Sequence, residues 1–178
     1  MVASSEKYHI SLRILHWLMA VIILALIGVG WYMSELPKDY PGRGNFYFLH
    51  KSFGVTIIFL WAIRVFLRFK MGAPELPSAI SKPMQKIIHA GHHMLYLLII
   101  FVPVSGYLMS NMGGHGVSLF GVPMPTLFEK NKEWGGFFHE SHGLVAYIML
   151  ALVVFHFLGV IKHRFFASKE SDVLKRMI

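Results

Sequence analysis

Residues 142–163 read HGLVAYIMLALVVFHFLGVIKH, and the placing of their three histidines decides how the chain is understood. Residues 143–161 carry no formal charge. As a helix at 1.5 Å per residue they reach about 28 Å, enough to cross a hydrocarbon core. His142 and His156 are fourteen residues apart, which puts them about 40° apart around that helix and about 21 Å apart along it. An imidazole gains nothing from facing lipid. Two on one stripe, near opposite ends of a span, read as two ligand positions inside a bundle. The plainer reading is a pair of hydrogen-bonded or snorkelling histidines.

The rest of the chain fits a membrane setting. It has 178 residues, 55% of them hydrophobic, with a mean hydropathy of +0.55. That length suits one domain, and apolar residues gathered in long runs describe an integral membrane protein. Residues 1–11 are polar and short, and the apolar run behind them is too long for the core of a cleavable signal, so the first helix is expected to be retained. There is no cysteine. That excludes a disulfide framework, an iron–sulfur cluster on this chain and covalent haem attachment through C-x-x-C-H; any haem must be held non-covalently.

Four spans are expected, at about 12–33, 50–69, 88–109 and 142–163. The first carries Arg13 and His16 in its opening turns, with Trp31 and Tyr32 at the far interface. Residues 34–49, with Pro37, Pro41, Gly42 and Gly44, read as a connector, and His50 stands at the entrance of the second span. Gly54, one turn later, leaves room either for a flat ligand or for close helix packing. The third span opens with His89, His92 and His93 and contains Pro103 and Gly106. Residues 111–141 form the longest connector, whose apolar part, 117–128, reads as a segment lying on the membrane and capping one end of the bundle.

The net charge is +8, but the basic residues flank the spans instead of lining a polar face. This points to topology and away from nucleic acid. Twelve of the seventeen lysines and arginines fall at the N-terminus, the second-to-third loop and the C-terminus. Both termini are therefore expected in the cytoplasm. His16 and His156 then lie toward the cytoplasmic side, and His50 and His142 toward the outer side.

Two imidazoles at one depth on different helices can take the two axial positions of a haem iron, and two such pairs imply two b haems. Zinc is less suited: two histidines leave it short of its usual four ligands, and no carboxylate lies within a span. His139 is about 100° from the His156 stripe, so His142 is preferred to it. His163 is seven residues beyond His156, about 20° off that stripe. It is placed to bond a quinone or a haem propionate, or to sit among lipid headgroups. The cluster of His89, His92 and His93 competes for the ligand roles.

Taken in order, Lys7-Tyr8 before His16-Trp17, His50, Arg64 and Arg68 at the end of the second span, His89-x-x-His92, Pro103-Val104-x-Gly106, and the His142 to His156 spacing resemble the bacterial di-haem cytochrome b561 family. The resemblance implies an all-α, four-helix cytochrome of the bacterial inner membrane with two b haems. It would move electrons between a donor and the quinone pool, as do members that oxidise superoxide and reduce ubiquinone. A haem-bearing membrane anchor subunit of a respiratory dehydrogenase is the second reading. A haem-free protein whose histidines bond across helices is the third.

Overall fold

The computed structural model describes residues 7–178. Four long helices, α1 (Ile10–Glu35), α2 (Arg43–Met71), α3 (Lys82–Met112) and α4 (Lys132–Phe165), form an all-α bundle, and each is long and apolar enough to cross a membrane. Local chemistry sets their ends. Gly42, with φ of 83°, turns the chain into α2, and Gly72, with φ of 70°, closes it by donating its N–H to the Arg68 carbonyl. Ser81 precedes α3, with Pro83 in its first turn. The Asn131 side chain accepts from the Glu133 and Trp134 N–H groups and so caps α4.

The helices overrun the expected connectors. Residues 43–49 are helical, so His50 lies two turns inside α2 instead of at its entrance. Arg43 supports that extension by donating to the Tyr47 hydroxyl one turn on. Residues 132–141 are likewise the start of α4. At 34 residues that helix is about 51 Å long and outreaches the hydrocarbon core.

The remaining connector between α3 and α4 is no flat surface segment. Ser118–Leu119 (β1) and Val122–Pro123 (β2) pair antiparallel across Phe120 and Gly121, both of positive φ, as a two-residue hairpin turn requires. The buried Ser52 hydroxyl holds the hairpin to α2, donating to the Ser118 carbonyl at 3.0 Å and accepting the Phe120 N–H at 3.1 Å. Phe120 also packs edge-on against Phe53. This end of the bundle is capped from within the protein.

The interior is built in layers seven residues apart. Seven residues advance a helix about 10.5 Å and turn it by only about 20° from two full turns, so residues at that spacing share a stripe. The stripes are His16, Ile23 and Gly30 on α1; His50, Ile57 and Arg64 on α2; His92, Ile99 and Gly106 on α3; and His142, Met149 and His156 on α4. Ile23, Ile57 and Met149 belong with Met19 to the buried core, and Ile99 packs against it. An apolar middle layer thus separates two histidine layers. The outward surface carries exposed Leu24, Phe66, Leu97 and Phe155, as a lipid-facing surface does.

A C-terminal strap closes the other end. Tyr8 N–H donates to the Arg176 carbonyl at 3.1 Å, Trp17 Nε1 to the Met177 carbonyl at 2.9 Å, and Arg176 to the Glu75 carbonyl. Asp172 pairs with Arg164 and, at 3.8 Å, with Lys175. Burial pushes the Asp172 carboxyl up, but the hydrogen bond and charge of Arg164, with the backbone N–H groups of Lys175 and Leu174, outweigh it and hold the carboxyl below the usual range. Stability from such a group is fully present above its unfolded value of about 3.9 and is lost as pH falls through its lower folded value. Tryptic cleavage after Lys169 and Lys175 should therefore be equally slow from pH 8 to pH 5. Asp172→Asn should speed it at every pH, weakening the strap by about 1–2 kcal/mol because Arg164 is partly open to solvent.

Candidate haem sites

Two of the histidines meet across the bundle at the hairpin end. His50 from α2 and His142 from α4 have ring centroids 6.2 Å apart with planes at 78°. Glycines on the other two helices make the space. A Cβ on Gly106 would stand 2.9 Å from His142 Cε1 and 3.0 Å from its Nδ1, and a Cβ on Gly30 would stand 3.1 Å from His50 Cε1. Both glycines occupy the histidine layer, and any side chain there would push against an imidazole. A Cβ on Gly54, by contrast, meets nothing within 4 Å, so close helix packing is not what demands that glycine.

A backbone carbonyl holds His142 in place. Its Nδ1 lies 2.9 Å from the Val102 carbonyl, so Nδ1 carries the hydrogen and Nε2 keeps its lone pair for a ligand. The buried Ser105 hydroxyl donates to the same carbonyl at 2.8 Å and lies 3.4 Å from His142 Nδ1. Val102 is thus the anchor point of the ring. His50 Nδ1 is shielded from solvent and has no hydrogen-bond partner.

The inner layer repeats the spacing. His16 from α1 and His156 from α4 have centroids 6.3 Å apart with planes at 62°. His92 from α3 also approaches His156, at 5.3 Å, and its Nδ1 bonds the Ile88 carbonyl of its own helix at 2.8 Å. His93 is tied in the same way to His89, and both are exposed. His139 is exposed beside Glu140. His163 lines a cavity of about 330 Å³ with Ile80, Met84 and Ser168, and its Nδ1 is buried without a partner.

These residues fit a haem. A metal–imidazole bond of about 2 Å on each side of an ion puts two trans imidazole centroids a little over 6 Å apart. Both predicted pairs have that separation, whereas His92 and His156 are about an ångström too close. Among the described residues no group of three or more histidine, cysteine or carboxylate side chains could hold a metal ion, so two-histidine sites suit a metal that brings its own equatorial ligands. Gly106→Val should displace His142 and lower the haem bound per chain. A haem assay and a difference spectrum on the purified variant would measure this.

A sequence profile described as prokaryotic cytochrome b561 matches residues 7–178. The chain is 32% identical over 175 residues to cytochrome b561 homolog 2 of Escherichia coli K12, covering 97% of this chain and 92% of that protein. It is 25% identical over 167 residues to the probable superoxide oxidase CybB of Yersinia pestis, covering 92% and 91%. It is 24% identical over 167 residues to cytochrome b562 of Cereibacter sphaeroides, covering 92% and 90%. A four-helix membrane bundle that matches a b-type cytochrome profile over nearly its whole length belongs to the prokaryotic cytochrome b561 family, as a bacterial membrane protein with b-type haem.

Proposed function

We propose that this chain is a single transmembrane cytochrome domain with two b haems, one on His50 and His142 and the other on His16 and His156, and that it carries electrons from an outer donor to ubiquinone. The observation that carries the reading is the pair of matching ring separations, 6.2 and 6.3 Å, two layers apart in the bundle. When bound, each haem supplies a one-electron site. Each pair would hold its haem from both sides, an arrangement that would favour electron exchange over oxygen binding. Val102 and Ser105 orient His142 for this role, and the Ile23, Ile57, Ile99 and Met149 layer keeps water from between the sites.

The distribution of lysine and arginine favours both termini in the cytoplasm of a cell with this protein in its inner membrane. His163 and its cavity then face the cytoplasmic side, and the unpartnered Nδ1 suits a quinone carbonyl or a haem propionate. Superoxide is the favoured donor. It is a small anion that needs no docking protein, and Lys51, Lys130 and Lys132 stand near the outer end. A relative is named a probable superoxide oxidase, which agrees with that choice. The second reading, a membrane anchor subunit of a respiratory dehydrogenase, draws on the exposed Leu127, Phe128, Trp134 and Phe137 at the outer end as a place for a partner.

Purified protein in vesicles containing ubiquinone should reduce the quinone when superoxide is generated outside. His50→Ala should slow that by at least about a hundredfold, and His163→Ala should raise the KM for quinone without altering the haem spectrum. Neutralising Lys51, Lys130 and Lys132 together should slow haem reduction at low salt. No quinone reduction by the isolated chain, with a soluble dehydrogenase co-purifying, would favour the anchor.

A further inference from the structure

Arginine is expensive to bury without an anion, because its guanidinium presents five donors and keeps its charge. Among the described residues the ion pairs are His139 with Glu140, and Arg164 and Lys175 with Asp172. Among the described residues no carboxylate pairs with Arg13, Arg64 or Arg68. Arg13 Nε and Arg68 Nη1 are shielded from solvent with no acceptor. Arg64 donates Nη1 to the Leu12 carbonyl at 2.7 Å and lies 6.0 Å from the Tyr96 ring, and Arg68 lies 5.3 Å from the Tyr8 ring.

All three fall, by their position along the helices, near the level of the inner histidine layer. Arg13 is three residues before His16 on α1, Arg64 stands on the His50 stripe of α2 two heptads further in, and Arg68 is one turn beyond it. The Leu12 carbonyl that Arg64 holds lies one turn before His16, which brings that guanidinium to the α1 side of the layer. At the outer layer Arg43, seven residues before His50, donates to the Tyr47 hydroxyl at 2.8 Å and stacks on that ring while its Nε is shielded from solvent with no acceptor, and Lys51 donates to the Gly116 carbonyl at 3.2 Å, so this layer holds one such guanidinium where the inner layer holds three.

We propose that Arg13, Arg64 and Arg68 form a cradle for the two propionate carboxylates of the haem on His16 and His156, and that the surplus positive charge raises the reduction potential of that site. This rests on the bis-histidine reading above. Three guanidinium groups meet two carboxylates, so one positive charge is left to favour the site with the extra electron. Electron transfer inward oxidises the outer iron by one electron and reduces the inner iron by one, with no atom exchanged. The arginines act as positioning residues that bias this step toward the quinone side.

The test is a redox titration of the purified protein in phosphatidylcholine nanodiscs, with and without phosphatidylglycerol, following both haem bands. Arg64→Gln and Arg68→Gln should each shift the electron distribution away from the inner haem by about tenfold, about 59 mV for a one-electron couple. The outer potential should stay fixed. Arg64→Lys and Arg68→Lys should recover much of the shift, since lysine keeps the charge and loses the fork. These variants also serve should a glutamine variant fail to fold. Arg43→Gln should leave the inner potential unchanged. An inner potential unmoved while both haems are retained would overturn the proposal, as would an equal shift at both haems. A shift seen only with phosphatidylglycerol would also overturn it by assigning the guanidinium groups to lipid phosphate. A wild-type protein with one haem would defeat the two-haem reading instead.

Discussion

A polar side chain inside a bilayer must find its partner within the protein, and the architecture follows from meeting that demand at two depths. The histidine layers are where the bundle is polar, and each is completed by what the neighbouring helices leave open or supply. In the outer layer Gly30 and Gly106 withdraw to admit His50 and His142, while the Val102 carbonyl fixes one ring. The inner layer brings His16 and His92 to His156, with Arg64 bonded to the Leu12 carbonyl one turn before His16. Between them the packed aliphatic layer holds the four helices in a register that keeps both pairs aligned. Changing one helix by a residue would turn its stripe by about 100° and break both layers together.

The ends of the bundle follow from the same constraint. α4 continues well past the apolar span, so the outer end needs a cover that ties off exposed backbone. The hairpin provides it, held by the doubly bonded Ser52 hydroxyl and by Asn111, whose side chain accepts the Leu127 N–H at 2.8 Å. At the opposite end the strap ties Tyr8, Trp17 and Glu75 to the last residues of the chain. The inner site thus lies beneath a lid made of the chain itself, with the His163 cavity opening beside it.

Much of this was legible in the sequence, because periodicity and charge survive into the fold. The spacing of His142 and His156, with His16 at the depth of His156 and His50 at the depth of His142, anticipated which rings would meet. Element ends were less legible. Residues 43–49 and 132–141 carry glycine and charge near a span, and they continue as helix because water tolerates polar residues on the exposed turns of α2 and α4. The hairpin could not be read from an apolar stretch broken by prolines, since Ser52 lies 66 residues from its partner Ser118. Gly30 and the roles of Gly106 and Arg64 were not read from it either. A seven-residue register laid across all four helices, anchored on the histidines, is the signal that would have found them.

The central claim is that four histidines hold two separate haems. A reduced-minus-oxidised visible spectrum with a haem assay on purified protein, repeated for His142→Ala and His156→Ala, tests it most directly. The account predicts two low-spin b haems per chain, with each substitution removing a different one. A single haem, or the loss of the same component in both variants, would contradict it.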